Sequence, residues 1–330
     1  MCNTDVVRFA SSVALSASIY KALKILLQKY CSKPKAWHHL LAGFLAGLGS
    51  CIDEPGRRRT LTLYIVARAL GCLVITLHKR GYLPSVPHFV ALVFSVCEGL
   101  IIVATMRYPY LLPRNYYNAI VRWSMCYDEE KLEVYMRRYQ ADFIPCNALL
   151  HQGSCHAHAW KDFVAGMWLY SKIYGALYSI SLFVLSPMSL LGSPVRAVTH
   201  FLKKTLVSAT FLTVNGTVVK YGICLLRNAW GGGPPIPHFI PALVGIVGSW
   251  SILLERPSRQ LELVYYVIPQ VLYLTWRLIC IKKILGLDKI PWGFVWFQCF
   301  SLAILMYAYE SERDLISPLL CKTLDFLLGK

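Results

Sequence analysis

Nine stretches of apolar residues recur along this chain, at about 7–27, 38–52, 60–77, 87–105, 162–186, 205–226, 237–254, 261–281 and 292–309. Most are long enough to cross about 30 Å of hydrocarbon as a helix. The sequence therefore predicts an all-α fold, a multi-pass helical membrane protein. Composition agrees. Hydrophobic residues make up 56% of the 330, charged residues only 15%, and mean hydropathy is +0.48. Soluble domains carry about 25% charge. The balance excludes a disordered chain, a collagen and a disulfide-stapled miniprotein, and it argues against a soluble enzyme.

Lys and Arg number 34 against 17 acidic residues, a net charge of +17. Most flank the apolar stretches, where they set topology and meet anionic headgroups. Membrane lipids are the expected partners. No nucleic-acid-binding pattern is present, and no nucleic-acid partner is expected. The 12 cysteines form no CxxC pair, and many sit inside apolar stretches (Cys51, Cys72, Cys97, Cys224, Cys280, Cys299). That usage fits a reducing compartment. Asp5 and Arg8 precede a weak apolar run that reads as a retained first helix rather than a cleaved signal. The sequon at Asn215 lies inside an apolar stretch and is expected to go unused.

The two ends of the chain repeat. Residues 18–29 match 217–228 at an offset of 199, and Glu54-Pro55-Gly56-Arg57-Arg58-Arg59 matches Glu255-Arg256-Pro257-Ser258-Arg259 near 200. Phe89-Val90 and Pro113 match Phe294-Val295 and Pro318 at 205. The expected organisation is a four-helix unit over 1–126, a polar cytosolic linker over 127–144, a Cys/His-rich segment with an extra amphipathic helix over 145–199, and a second four-helix unit over 200–330. Repeats of this kind often hold a transport site at their interface. Whether the extra stretch, 162–186, crosses decides the relative orientation of the units. Of 28 flanking Lys/Arg, the two sides carry 15 and 13 if it crosses, or 19 and 9 if it does not. The positive-inside rule prefers the second, an interfacial or partly re-entrant helix with parallel units. Eight or nine spans result, with the linker on the cytosolic side.

Several residues invite chemistry. Cys146, His151, Cys155, His156 and His158 cluster in the sequence. Such donors suit zinc, but the spacing C-x4-H-x3-C-H-x-H fits no standard finger. A Cys146–Cys155 disulfide and plain packing are the alternatives. Lys21, Lys24, Arg68, Glu98, Lys220 and Arg277 lie inside apolar stretches, where charge is costly and suggests function. Lys21 and Lys220 hold the same repeat position. Snorkelling competes for both, since each is two turns from a helix end. Glu98 is central; it must pair with a cation, Arg68 being one candidate, or carry a proton. Its repeat counterpart is Ala303. Gly43, Gly47 and Gly49, with Gly245 and Gly248 in the equivalent helix, should let backbones approach closely. Arg57, Arg58, Arg59, Arg256 and Arg259 are topology anchors or lipid-headgroup contacts. No phosphate loop, HExxH, GxSxG or Rossmann fingerprint appears, and no cofactor is expected. His158 to Asp162 falls one residue short of the acyltransferase HxxxxD spacing.

Trp37-His38-His39-Leu40-Leu41-Ala42-Gly43-Phe44-Leu45-Ala46-Gly47-Leu48 resembles the second half of the transmembrane protein 135 family. Phe211-Leu212-Thr213-Val214-Asn215-Gly216 and Leu254-Glu255-Arg256-Pro257-Ser258-Arg259 resemble its first half. Pro145-Cys146, His151 and Ser154-Cys155 resemble the cysteine-rich segment that opens that family's sequences. Here the half resembling the second copy comes first. More distantly, the four-helix unit is similar to the mitochondrial translocase and small peroxisomal membrane protein superfamily. The resemblance implies an organelle membrane, peroxisomal before mitochondrial, and a role in lipid handling or organelle organisation without a catalytic site. The leading expectation is a non-enzymatic protein of lipid or metabolite movement or of organelle membrane organisation, with the repeat interface as its groove. The alternatives are an import or scaffold component docking protein partners on its cytosolic linker, and a membrane enzyme using the Cys/His cluster.

Overall fold

The computed structural model describes residues 4–31, 35–123, 146, 151–180, 182–183, 192–230, 237–284 and 292–329. The expected linker over 127–144 lies outside the described residues. Among the described residues every regular element is helical. They are α1 (Thr4–Tyr30), α2 (Ala36–Ala46), α3 (Pro55–Lys79), α4 (Phe89–Arg107), α5 (Arg114–Trp123) and α6 (Cys155–Ile180). Then come α7 (Pro194–Ala229), α8 (Phe239–Ser249), α9 (Pro257–Lys282), α10 (Gly293–Ser311) and α11 (Pro318–Leu328). Five of these, α1, α3, α4, α7 and α9, are long and apolar enough to cross a membrane. Proline opens α3, α7, α9 and α11, where its missing N–H costs nothing and its fixed φ suits the first turn. The short helices α2 and α8 are extended by 3-10 turns, Gly47–Ile52 and Trp250–Leu254. The looser rise brings each to about 27 Å, close to a hydrocarbon thickness.

Contacts divide the chain into two compact units, Met1–Pro87 with Thr275–Lys330, and His88–Leu274. These cut across the segments 1–126 and 200–330. In the first unit α10 joins α1 to α3. In the second, α4 joins α6, α7, α8 and the first part of α9. Small residues decide which helix is taken in. A Cβ on Gly43 would stand 2.7 Å from the Leu302 carbonyl oxygen, and one on Gly47 would collide with the backbone of Cys299. A Cβ on Gly245 would stand 2.9 Å from the Gly99 Cα. Each short helix thus receives one 19-residue helix at backbone contact.

Helix directions follow from contacts within each unit. In the first, Arg57 donates to the Asp5 carbonyl at 2.8 Å, and Thr62 Oγ1 donates to the Phe294 carbonyl at 3.4 Å, near the starts of α1, α3 and α10. Towards their ends, Tyr20 and Lys24 donate to Glu310 at 3.2 and 2.6 Å, and Lys79 pairs with Asp314. These three helices run parallel, and α2 runs against them. In the second unit the rings of Phe94 and Phe211 lie 6.2 Å apart, and Ile102 packs with Val219. So α4 runs parallel to α7, while α8 opposes α4, its Ser249 donating to Ser95 at 2.7 Å.

The extra helix α6 lies antiparallel along α7. Tyr221 meets His156 at 2.6 Å, Gly166 faces Thr213, and Tyr178 meets Ser208 at 2.9 Å. The charge count had favoured a helix lying in the interface; the packing instead runs lengthwise beside a candidate span. The reason is a stripe at four-residue spacing. Asp162, Gly166, Tyr170 and Tyr174 are buried, whereas Trp160, Val164, Trp168, Leu177 and Ile180 are exposed. The helix turns Asp162 and two tyrosines inward and large apolar side chains out, beside exposed Lys161 and Lys172, which is not the pattern of a water-facing helix.

The helices α4 and α10 bury the same pattern. Ala91, Phe94, Ser95, Cys97, Gly99, Ile101, Ile102, Ala104 and Thr105 are the buried residues of α4. Those of α10 are Val295, Gln298, Cys299, Ser301, Ala303, Leu305, Met306, Ala308 and Tyr309, each 204 residues further on. Both helices follow a residue in the left-handed region, His88 (φ 55°) and Trp292 (φ 59°). In this register Glu98 corresponds to Leu302 rather than to Ala303, because the helix ends align one residue away from the Phe-Val match.

Candidate functional site

The polar chemistry of the second unit gathers where α6 meets α7. At its centre Lys220 of α7 pairs with Asp162 of α6, their side chains 12% and 3% exposed. Attraction is strong in such surroundings, but so is the desolvation cost. Removing one partner of a buried pair typically costs about 3–5 kcal/mol. Two turns from Asp162 in one direction, Tyr170 is buried; further on, Tyr174 faces Arg259 and Glu255. Tyr178 and Ser208 close that end.

At the other end, Lys220, Cys224 and Asn228 follow one another at four-residue spacing on one face of α7. Cys146, His151 and Cys224 are buried, with ligand atoms all within 4.8 Å of one another. The Sγ atoms of Cys146 and Cys155 stand 3.4 Å apart and are not joined in a disulfide. The Asn228 amide donates to them at 3.4 and 3.8 Å. His158 stacks on His151 with ring centroids 4.4 Å apart and planes at 12°. The four candidate ligands read from sequence, Cys146, His151, Cys155 and His158, are thus brought together. Cys224, Asn228 and Asp162 complete the arrangement and were not singled out as members of it. A signal existed for each. Cys224 and Asn228 share a face with Lys220, and Asp162 stands one turn after His158.

The other candidates distribute differently. Lys21 is exposed, and Lys24 pairs with Glu310. Arg68 donates to Ser317 Oγ at 3.2 Å. Glu98 has no hydrogen-bond or ion-pair partner among the described residues of its own unit. Arg277 is partly buried in α9 and has partners of its own. Arg57 Nε donates to Asp53 at 2.8 Å, and Arg58 donates to the carbonyls of Asp53 and Cys51 at 2.7 and 3.1 Å. Arg58 and Arg59 lie over Trp292 and Phe294 at 5.1 and 5.5 Å. These arginines satisfy the end of the 3-10 turn that follows α2 and staple it to α10. Arg256 is exposed. Gly248 packs against Val219 and the Asn215 carbonyl, and the Asn215 side chain is buried. Neither a protein-family model, nor a curated protein, nor a solved structure matches the chain.

Proposed function

We propose that this chain is a non-enzymatic, multi-pass protein of an intracellular organelle membrane, peroxisomal before mitochondrial, that moves a lipid or small metabolite. In this reading 1–126 and 200–330 are two copies of a four-helix unit in opposite orientations, and α6 is the crossing between them. The observation that carries it is the parallel run of α4 and α7 within the second unit. A chain that crosses with both must cross once more in between, and α6, antiparallel to α7, supplies that crossing. The first unit supports the same count. α3 and α10 run parallel there, which requires an odd number of crossings between them; α4, α6, α7, α8 and α9 make five.

Inverted repeats characterise many membrane transport proteins, and that favours movement of a solute over a docking scaffold. The coincident buried positions of α4 and α10 support the repeat. The Lys220–Asp162 pair gives the second unit a polar foothold amid apolar helices, where ionisable groups by default mark a pathway. The resemblance to the transmembrane protein 135 family points the same way, to lipid handling in an organelle.

Cysteine labelling in sealed organelles tests the reading. Variants retaining Cys51 alone or Cys321 alone are treated with a membrane-impermeant thiol reagent. Inverted units put these residues on opposite faces, so one labels at once and the other only after the membrane is opened. Labelling of both from the same face would mean parallel units and would remove the case for an inverted transporter.

A further inference from the structure

The imidazole of His151 is hard to explain as packing alone. The residue is 7% exposed, and both ring nitrogens are buried without a hydrogen-bond partner among the described residues. A neutral imidazole carries one N–H donor and one acceptor, and leaving both unmet is costly. What lies around the ring is sulfur. Cys146 and Cys224 place their thiols within 4.8 Å of it and of each other. Cys155 stands 3.4 Å from Cys146, at the edge of this mutually close trio rather than within it.

We propose that Cys146, His151, Cys155 and Cys224 bind one zinc ion in a closed, structural Cys3His site. Three soft thiolates and an imidazole are a standard tetrahedral zinc set. Zn–S bonds of about 2.3 Å separate tetrahedral sulfurs by about 3.8 Å. To reach this, the Cys155 side chain turns toward the trio while its gap to Cys146 opens by a few tenths of an ångström. The surroundings fit the bound state. Asn228 already donates N–H to two of the sulfurs, as outer-shell donors do to metal thiolates. His158 stacks against the histidine ring and fixes its plane. Four protein ligands leave no open position, so the site holds structure rather than activating water. Three ligands come from the segment 146–155 and one from α7. The ion therefore ties the start of α6 to the end of α7, the junction on which the buried Lys220–Asp162 pair depends. This assignment stands independently of the transport reading.

The test is elemental analysis of the full chain, purified in detergent under reducing conditions without chelators. About one zinc per chain is expected. Cys224→Ser and His151→Ala should fall to background, while Cys321→Ser, outside the cluster, should retain the metal. Should Cys224→Ser fail to accumulate, the wild-type protein still decides the matter. Cobalt exchanged into the site should show the ligand-field bands of tetrahedral thiolate coordination, and stripping the ion should release reactive thiols at Cys146, Cys155 and Cys224. Less than about 0.1 equivalent of zinc in the wild-type chain would overturn the proposal. So would a mapped Cys146–Cys155 disulfide, or full zinc content in both ligand variants.

Discussion

The two compact units are both built from apolar helices and place their charges differently. In the first, ion pairs sit at the helix ends. Lys24 pairs with Glu310, Lys79 with Asp314, Arg80 with Glu312, and Arg57 with Asp53. In the second, the Lys220–Asp162 pair is buried part-way along α7 and continues into the Cys/His cluster. The sharpest contrast is between Lys21 and Lys220, which the proposed repeat would place at equivalent positions. Lys21 is exposed, as a snorkelling lysine would be; Lys220 is enclosed because α6 covers it and supplies Asp162. A position in a repeat does not by itself make a charged residue functional. What matters is whether a neighbouring helix removes its route to water.

The largest expected effect breaks this contrast at its centre. Lys220→Leu removes the cation that neutralises buried Asp162, so it should destabilise the purified protein by about 3–5 kcal/mol in thermal or denaturant melts. Lys21→Leu should change stability by less than about 1 kcal/mol. Restoring an uncharged seam with Asp162→Leu and Lys220→Met together should recover most of the stability but not the movement of fluorescent lipid or solute in reconstituted vesicles. If the double variant transports normally, the pair has no part in transport.

A second prediction compares the glycine contacts. Gly47→Ala meets the backbone of α10, which cannot rotate away, and should cost about 1–3 kcal/mol. Gly245→Ala meets the α4 backbone in the same manner and should fall in that range. Gly216→Ala has open space around its Cβ and should be neutral or stabilising, by up to about 1 kcal/mol, through helix propensity. Equal melting temperatures for all three would show that the close approaches do not constrain the helices. Third, Glu98→Gln should leave stability within about 0.5 kcal/mol, since no described partner is lost. In the transport reading it should nevertheless slow vesicle flux, and unchanged flux would remove Glu98 from that account.

The smallest effect lies at the surface of the first unit. The Lys79 ammonium beside Asp314 holds its carboxyl below the ordinary carboxylate range. A depressed folded-state pKa contributes stability that is present above the unfolded value and lost as pH falls through the folded one. The melting difference between wild type and Asp314→Asn should therefore be small near neutrality and shrink below about pH 4. A difference that grows on acidification would reverse the sign of the interaction.

Much was legible before any coordinates. Apolar run length marked the helices, and Gly43, Gly47 and Gly245 marked where backbones touch. Cys146, His151, Cys155 and His158 were recognisable because all lie within 13 residues. Cys224 escaped because it belongs to an apolar helix some seventy residues away, where a cysteine looks like any small hydrophobe.

Local chemistry was thus determined by the sequence alone. A run of apolar side chains commits its backbone to a helix, and a glycine permits contact whatever helix arrives. Partnership was decided only by the tertiary structure. It took α10 into the first unit and α4 into the second, laid α6 lengthwise beside α7, and gave Lys220 its counter-ion. Hydropathy and charge counts average over all faces of a helix, and pairing depends on which face meets which neighbour. In α6 three charged residues lower the hydropathy alike, yet only Asp162 is turned inward while Lys161 and Lys172 stay exposed, and the buried stripe from Asp162 to Tyr174 is what packs the helix against a candidate span.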